Sequence, residues 1–164
     1  MGIESFGVVM RAERSSALSS IRQALQSYPN LRLLDERASE VAYEFHDGEC
    51  LFEVLLRGTD REKEFDLNVR FALCNPDIVE QRFLDFIFWA KRLWQPRLWQ
   101  MSSVSKEKVD FNPDELHLFE ERAPSEIRAL RSAWQKTFGV KRGAVRVTDV
   151  YSWIRTDGVP HSGD

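Results

Sequence analysis

The sequence is short of the residues that build most recognisable sites. It has two cysteines, Cys50 and Cys74, in 164 residues. Two thiols do not make a disulfide scaffold. With no secretory leader expected in MGIESFGVVMRAER, both should be reduced and buried. The three histidines, His46, His117 and His161, are far apart, and none belongs to an H-x-x-x-H pair. There is no C-x-x-C either, so no metal site is expected. The G-x-S-x-G elbow, the P-loop and the G-x-G-x-x-G turn are missing, so no catalytic residue and no cofactor is assigned. The longest apolar run, Phe86 to Ala90, is far short of the about 20 residues a spanning helix needs. Phe6 stands where a myristoylation pattern needs Ser or Thr. Neither charge dominates: 23 bases face 26 acids, a net of −3, which argues against nucleic acid.

These absences leave a chain expected to be cytoplasmic, with no membrane or nucleic-acid partner. At 43 % hydrophobic and 30 % charged it is long enough for one full core. No repeat, low-complexity tract or linker divides it. One α+β domain over residues 1–155 is expected, followed by a flexible polar tail over 156–164.

The charge that is present is unevenly placed. Residues 35–66 hold eleven acids and four bases, a local net of −7, while the rest carries +4. Such a stretch is a solvated sheet face or an acidic docking surface for a basic partner.

The chain reads in order as strand, helix, three strands, long helix, then shorter elements. Residues 6–12 alternate as a strand. Ser15 or Ser16 can cap a helix to about Tyr28, with Leu18, Ile21 and Leu25 at helical spacing. Leu31 to Leu34 is a strand or a linker. Residues 41–46 and 49–56 flank Asp47-Gly48, which predicts a two-residue hairpin turn. That register sets Phe45 opposite Cys50 and Tyr43 opposite Phe52. Phe65, Leu67, Val69, Phe71 and Leu73 then alternate with polar residues, predicting a third strand of an antiparallel meander with one wet face.

A helix over residues 77–94 is expected to roof the dry face. Asn75 suits its cap, Pro76 its first position and Asp77 its dipole. Val79, Phe83, Phe86, Ile87, Ala90, Leu93 and Trp94 fall within an arc of about 120°. Phe88 and Trp89 fall outside it, either covered by later segments or exposed for a partner. Beyond, Leu98 to Met101 can form a strand. Asn112-Pro113-Asp114 opens a short helix broken by Pro124, and Ser125 caps another, with Ile127, Leu130, Trp134, Thr137 and Phe138 as its stripe and Gly139 at its end. Residues 144–147 look like a strand, continued or followed by a turn at 150–154.

Four constellations have chemistry to offer. His46 shares a sheet face with Glu44 and Glu53, near Asp66, as a general base would, although a histidine beside a turn is ordinarily just solvated. Cys50 points to the dry face and His46 to the wet one, which argues against a thiol–imidazole pair. Trp89, Trp94 and Trp99 interleave with Lys91, Arg92 and Arg97 as a base-stacking groove would, yet the chain lacks a basic surface. Gly139 to Gly143, with two bases, is a basic turn or a phosphate contact.

The order of elements, the small size, the acidic stretch and the lack of catalytic apparatus resemble bacterial immunity proteins that neutralise a co-encoded toxin. They are similar also to type III-like secretion chaperones, small acidic α+β homodimers that hold an effector. The resemblance covers the general plan of residues 1–147 and carries no motif. It implies a non-catalytic, monomeric or homodimeric protein whose partner is a toxin or effector. On that reading Glu44, Glu49, Glu53, Glu64 and Asp66 meet basic groups of the partner, with Phe88, Trp89 and Trp99 as aromatic anchors. A different class, a small enzyme or ligand-binding domain, would instead need an enclosed polar pocket near Tyr43, Phe52, Trp94 and Trp134.

Overall fold

The computed structural model describes residues 5–13, 16–102 and 109–138. The elements run β1 (Ser5–Glu13), α1 (Leu18–Ser27), β2 (Leu31–Glu36), β3 (Glu40–His46), β4 (Leu51–Arg57), β5 (Glu64–Ala72), α2 (Ile78–Trp94), β6 (Leu98–Met101) and β7 (Val109–Phe111). A single 3-10 turn, Pro113–Glu115, then leads into α3 (Leu116–Phe138). The strands form one seven-stranded sheet in the order β2-β3-β4-β5-β1-β6-β7. Every neighbouring pair is antiparallel. This is the expected α+β architecture, and the meander β3-β4-β5 is its middle.

Alternation explains the two faces. Phe6, Val8, Met10 and Ala12 of β1 and Phe65, Leu67, Val69 and Phe71 of β5 are all buried, while the residues between them are not. Paired residues share a face, so Met10 carries Trp99 of β6 and Phe111 of β7 onto the same side. The helices all reach this side. Tyr28, at the end of α1, meets Phe45. Phe83 and Phe86 of α2 meet Phe52, and Phe119 of α3 meets Trp99 and Phe111. Val79, Phe83, Phe86, Ile87 and Ala90 are fully buried. Each large side chain among them contributes about 1.5–3 kcal/mol. Leu93, expected in the same arc, is 51 % exposed, whereas Trp94 beside it packs against Phe65 and Trp89.

Several local expectations are corrected. The β3–β4 connection is a four-residue loop, not a two-residue turn: His46 pairs with Leu51 and Phe45 with Phe52. Asp47 Oδ1 accepts the amides of Glu49 and Cys50, and only Gly48 has a positive φ, whereas a type I′ turn needs two such residues. The pairing partners of β3 shift by two, so each residue keeps its face but not its neighbour. Phe45 and Phe52 stack at 4.4 Å as a result.

Asn75 is not the cap of α2, whose first turn is entered at Asp77. Its buried side chain instead accepts Leu51 N at 3.0 Å and donates to Ala72 O at 3.0 Å, tying β4 to β5. The cap position of α1 is not a serine either. Ala17 stands at the cap, and Asp60 Oδ1 from the β4–β5 loop accepts Leu18 N at 3.4 Å. Pro124 does not break a helix, since α3 runs through it. A proline there forfeits one backbone hydrogen bond, and tertiary cover of Phe119, Ala123 and Ile127 outweighs the loss. Thr137 is exposed rather than part of the stripe. Residues 31–36 resolve as a strand with a bulge between Leu33 and Asp35, and β7 is a strand without a sequence signal. Gly139, the strand expected at 144–147, the segment 150–154 and the tail lie outside the described residues.

Candidate protein-docking face

With α1, α2 and α3 on one side, the opposite sheet face carries no helix or strand among the described residues. Most charged side chains of its central strands lie in two rows. One row runs Arg32, Glu44, Glu53, Arg70 from β2 to β5; the other runs Glu40, Arg57, Asp66, Arg11 from β3 through β5 to β1. Between them lies a row that is uncharged over five strands, Ala42, Leu55, Asn68, Val9 and Gln100, all half-buried, and that ends in Asp35 on β2 and Asp110 on β7.

The rows are internally paired. Arg70 Nε meets Glu53 at 2.5 Å and Arg57 Nε meets Glu40 at 2.6 Å. Arg11 grips Asp66 with two bonds of 2.7 and 3.0 Å. The Asp66 carboxylate raises the Arg11 pKa by hydrogen bonding and by its charge. Glu44 sits directly opposite Glu53, a like-charge placement that Arg32 and Arg70 relieve from either side. The same device recurs at Glu13 and Glu64, which Arg97 bridges. At this end of the face Arg97 and Arg57 border an open groove of about 760 Å³ with Lys63 and Glu62.

The acidic surface foreseen in the sequence is therefore a salt-bridged one. Arg11, Arg22, Arg32, Arg70, Arg82 and Arg97, all outside residues 35–66, reach in to neutralise it. Glu44, Glu53, Glu64 and Asp66 do lie together on the open face, but Glu44 is buried. Glu49 lies apart from them in the hairpin loop, beside Asp47 and Arg82, at the rim of an open cleft of about 400 Å³. Burial would raise the Asp47 carboxyl, but the Cys50 and Glu49 amides and Arg82 outweigh it and hold that group below its ordinary value.

The aromatic anchors are not on this face. Trp99 is 1 % exposed and packs on Phe119, so it belongs to the core and offers a partner no surface. Phe88 and Trp89 are half-buried against the core. Trp89 lies between Tyr28 and Trp94, at 4.7 and 5.5 Å. Phe88 shares an i, i+4 row of α2 with Leu84 and Glu80, and Glu80 pairs with Arg131 of α3.

The catalytic alternatives find little support in the geometry. His46 Nδ1 accepts Gly48 N at 3.2 Å, and arginines hold both neighbouring carboxylates. Cys50 and Cys74 are free and buried, and desolvation first of all pushes their thiols to about 12 and about 11. A thiolate nucleophile needs the opposite shift. Among the described residues no group of three or more His, Cys, Asp or Glu is arranged to hold a metal ion. Where an enclosed pocket was the alternative, Phe52 is packed by Phe45, Phe83 and Phe86. No described helix is long and apolar enough to cross a membrane.

Among the described residues, fold and site thus define an α+β sheet with helices on one face and ion pairs on the other. Set against models of known families, curated proteins and solved structures, the chain matches none.

Proposed function

We propose that the chain is a non-catalytic binding protein whose open sheet face receives a protein partner. One observation carries this reading. The face spans the central strands, is bordered by paired charges and carries a half-buried uncharged row, with no described element across it. Ion pairs oriented by neighbours supply specificity and steering more than raw affinity. The partner class that fits best is a toxin neutralised by direct contact, as in immunity proteins. Cytoplasmic action belongs to the same proposal. The test is to capture the partner with the full chain, beginning with the product of the adjacent gene, and then measure association kinetics at two salt concentrations. Salt-sensitive binding that weakens at least about tenfold with Glu53→Arg plus Asp66→Arg is expected. Unchanged affinity and on-rate in that double variant would overturn the sheet-face assignment.

A further inference from the structure

The charge order of the open face has a symmetry that points to one occupant. Consider a two-fold axis parallel to the strands, lying above the face midway between β4 and β5. It exchanges β4 with β5 and β3 with β1. By the observed register, each residue then faces the copy of its own counterpart across that midline. Glu53 comes opposite Arg70, and Arg57 comes opposite Asp66. Following the pairs outward, Glu40 comes opposite Arg11, and Glu44 opposite Gly7. Every one of these juxtapositions is opposite in sign or neutral. In the uncharged row, Leu55 meets Asn68 and Ala42 meets Val9.

The perpendicular placement fails this test. A two-fold axis laid along the uncharged row, perpendicular to the strands, would stack Glu44 on Glu40 of the second copy and Arg70 on Asp66. The first of these is a like-charge contact. The antisymmetry about the β4–β5 midline comes from two ladder positions: Glu53 lies opposite Arg70, and the row Glu40, Arg57, Asp66, Arg11 alternates in sign over four strands, so that a rotation about the midline sets each of its charges on an opposite one.

We infer that a second copy of this chain docks face to face on the open sheet, closing it as an isologous homodimer. Aligned sheets pack about 10 Å apart, which suits facing Arg and Glu side chains. The three intramolecular pairs Glu53–Arg70, Arg57–Glu40 and Arg11–Asp66 would then join into shared networks rather than break. Four strands of about seven residues present roughly 500 Å² per copy, so the two copies bury about 1,000 Å², near the lower bound for specific interfaces. The dimer is accordingly concentration-dependent and salt-sensitive, and a protein partner on the same face displaces the second copy by mass action. The inference follows from the charge order alone and does not rest on the toxin reading.

The decisive experiment uses two complementary variants. Arg70→Glu leaves acids at both 53 and 70, and Glu53→Arg leaves guanidinium groups at both. Each variant alone sets like charges across the axis in two places. An equimolar mixture restores opposite charges at both. Sedimentation velocity of the full chain at low salt should show a wild-type dimer at about 100 μM that dissociates as salt rises. Each variant alone should dimerise at least about tenfold more weakly, and the mixture should recover a heterodimer. Far-ultraviolet circular dichroism of each variant checks folding, and misfolded variants would not rescue each other. A wild type that remains monomeric at that concentration, variants that dimerise as well as wild type, or a mixture that stays monomeric would each overturn the inference. Partner binding by a strictly monomeric chain would overturn the homodimer and leave the proposed function standing.

Discussion

Replacing Asn75 by Asp separates two physical roles that the same residue can play before a helix. As a helix cap, Asp is as good as Asn, and its charge favours the helix N-terminus, so Asn75→Asp would be neutral or mildly stabilising at pH 7. In the structure Asn75 is 2 % exposed and uses both ends of its amide, accepting from Leu51 N and donating to Ala72 O. An ionised carboxylate keeps the first bond but turns an acceptor toward the Ala72 carbonyl and buries a charge. A protonated carboxyl makes both bonds. The folded state therefore holds this carboxyl above its ordinary pKa. The sign follows: stability is fully retained below the unfolded pKa near 4 and falls as pH rises from there, levelling off above the folded pKa. An unmet buried contact of this kind costs about 2–3 kcal/mol, or about 4–12 °C in melting temperature for a chain of this size. Urea titrations of wild type and Asn75→Asp at pH 3.5 and pH 7 check it. A variant as stable as wild type at pH 7 would show that the cross-strand tether is not what Asn75 contributes.

Two further outcomes are expected. A thiol reagent at pH 8 should leave Cys50 and Cys74 unlabelled in the native chain and label both within minutes in denaturant, because burial holds their thiols near 12 and 11; rapid native labelling would contradict the packing of the hairpin loop. Asp47→Asn should destabilise by about 1.5–3 kcal/mol at pH 7, since two backbone amides and Arg82 lose a charged acceptor. The folded carboxyl is depressed, so its stabilisation is present above the unfolded pKa and is lost as pH falls through the folded value; the gap between wild type and variant measured by denaturation should close in acid.

How much of this was legible in the chain depends on distance along it. The alternation in residues 64–73 and the 3.6-residue spacing of Val79, Phe83, Phe86 and Ala90 are local patterns, and each appears in the structure as the element it implied. Asp47-Gly48 announced a hairpin, but the turn type was decided by which amides the Asp47 carboxylate captures, and that moved the register by two. The cluster of acids was equally plain, yet its meaning was not. Arg70 is 17 residues from Glu53 and Arg11 is 55 from Asp66, so nothing local shows that the acids are answered.

Composition and periodicity by themselves determined an α+β chain with a wet and a dry sheet face, buried thiols and one long core helix, because those follow from the two short repeats of secondary structure. The tertiary structure alone decided that β1 closes on β5, that every described helix falls on one side, that Trp99 is core, and that the charges of the opposite face pair in rows. The physical reason is that burial and charge pairing depend on which strand lies beside which. That choice is settled by the packing of the whole sheet under its helices, at separations along the chain over which sequence pattern carries no record.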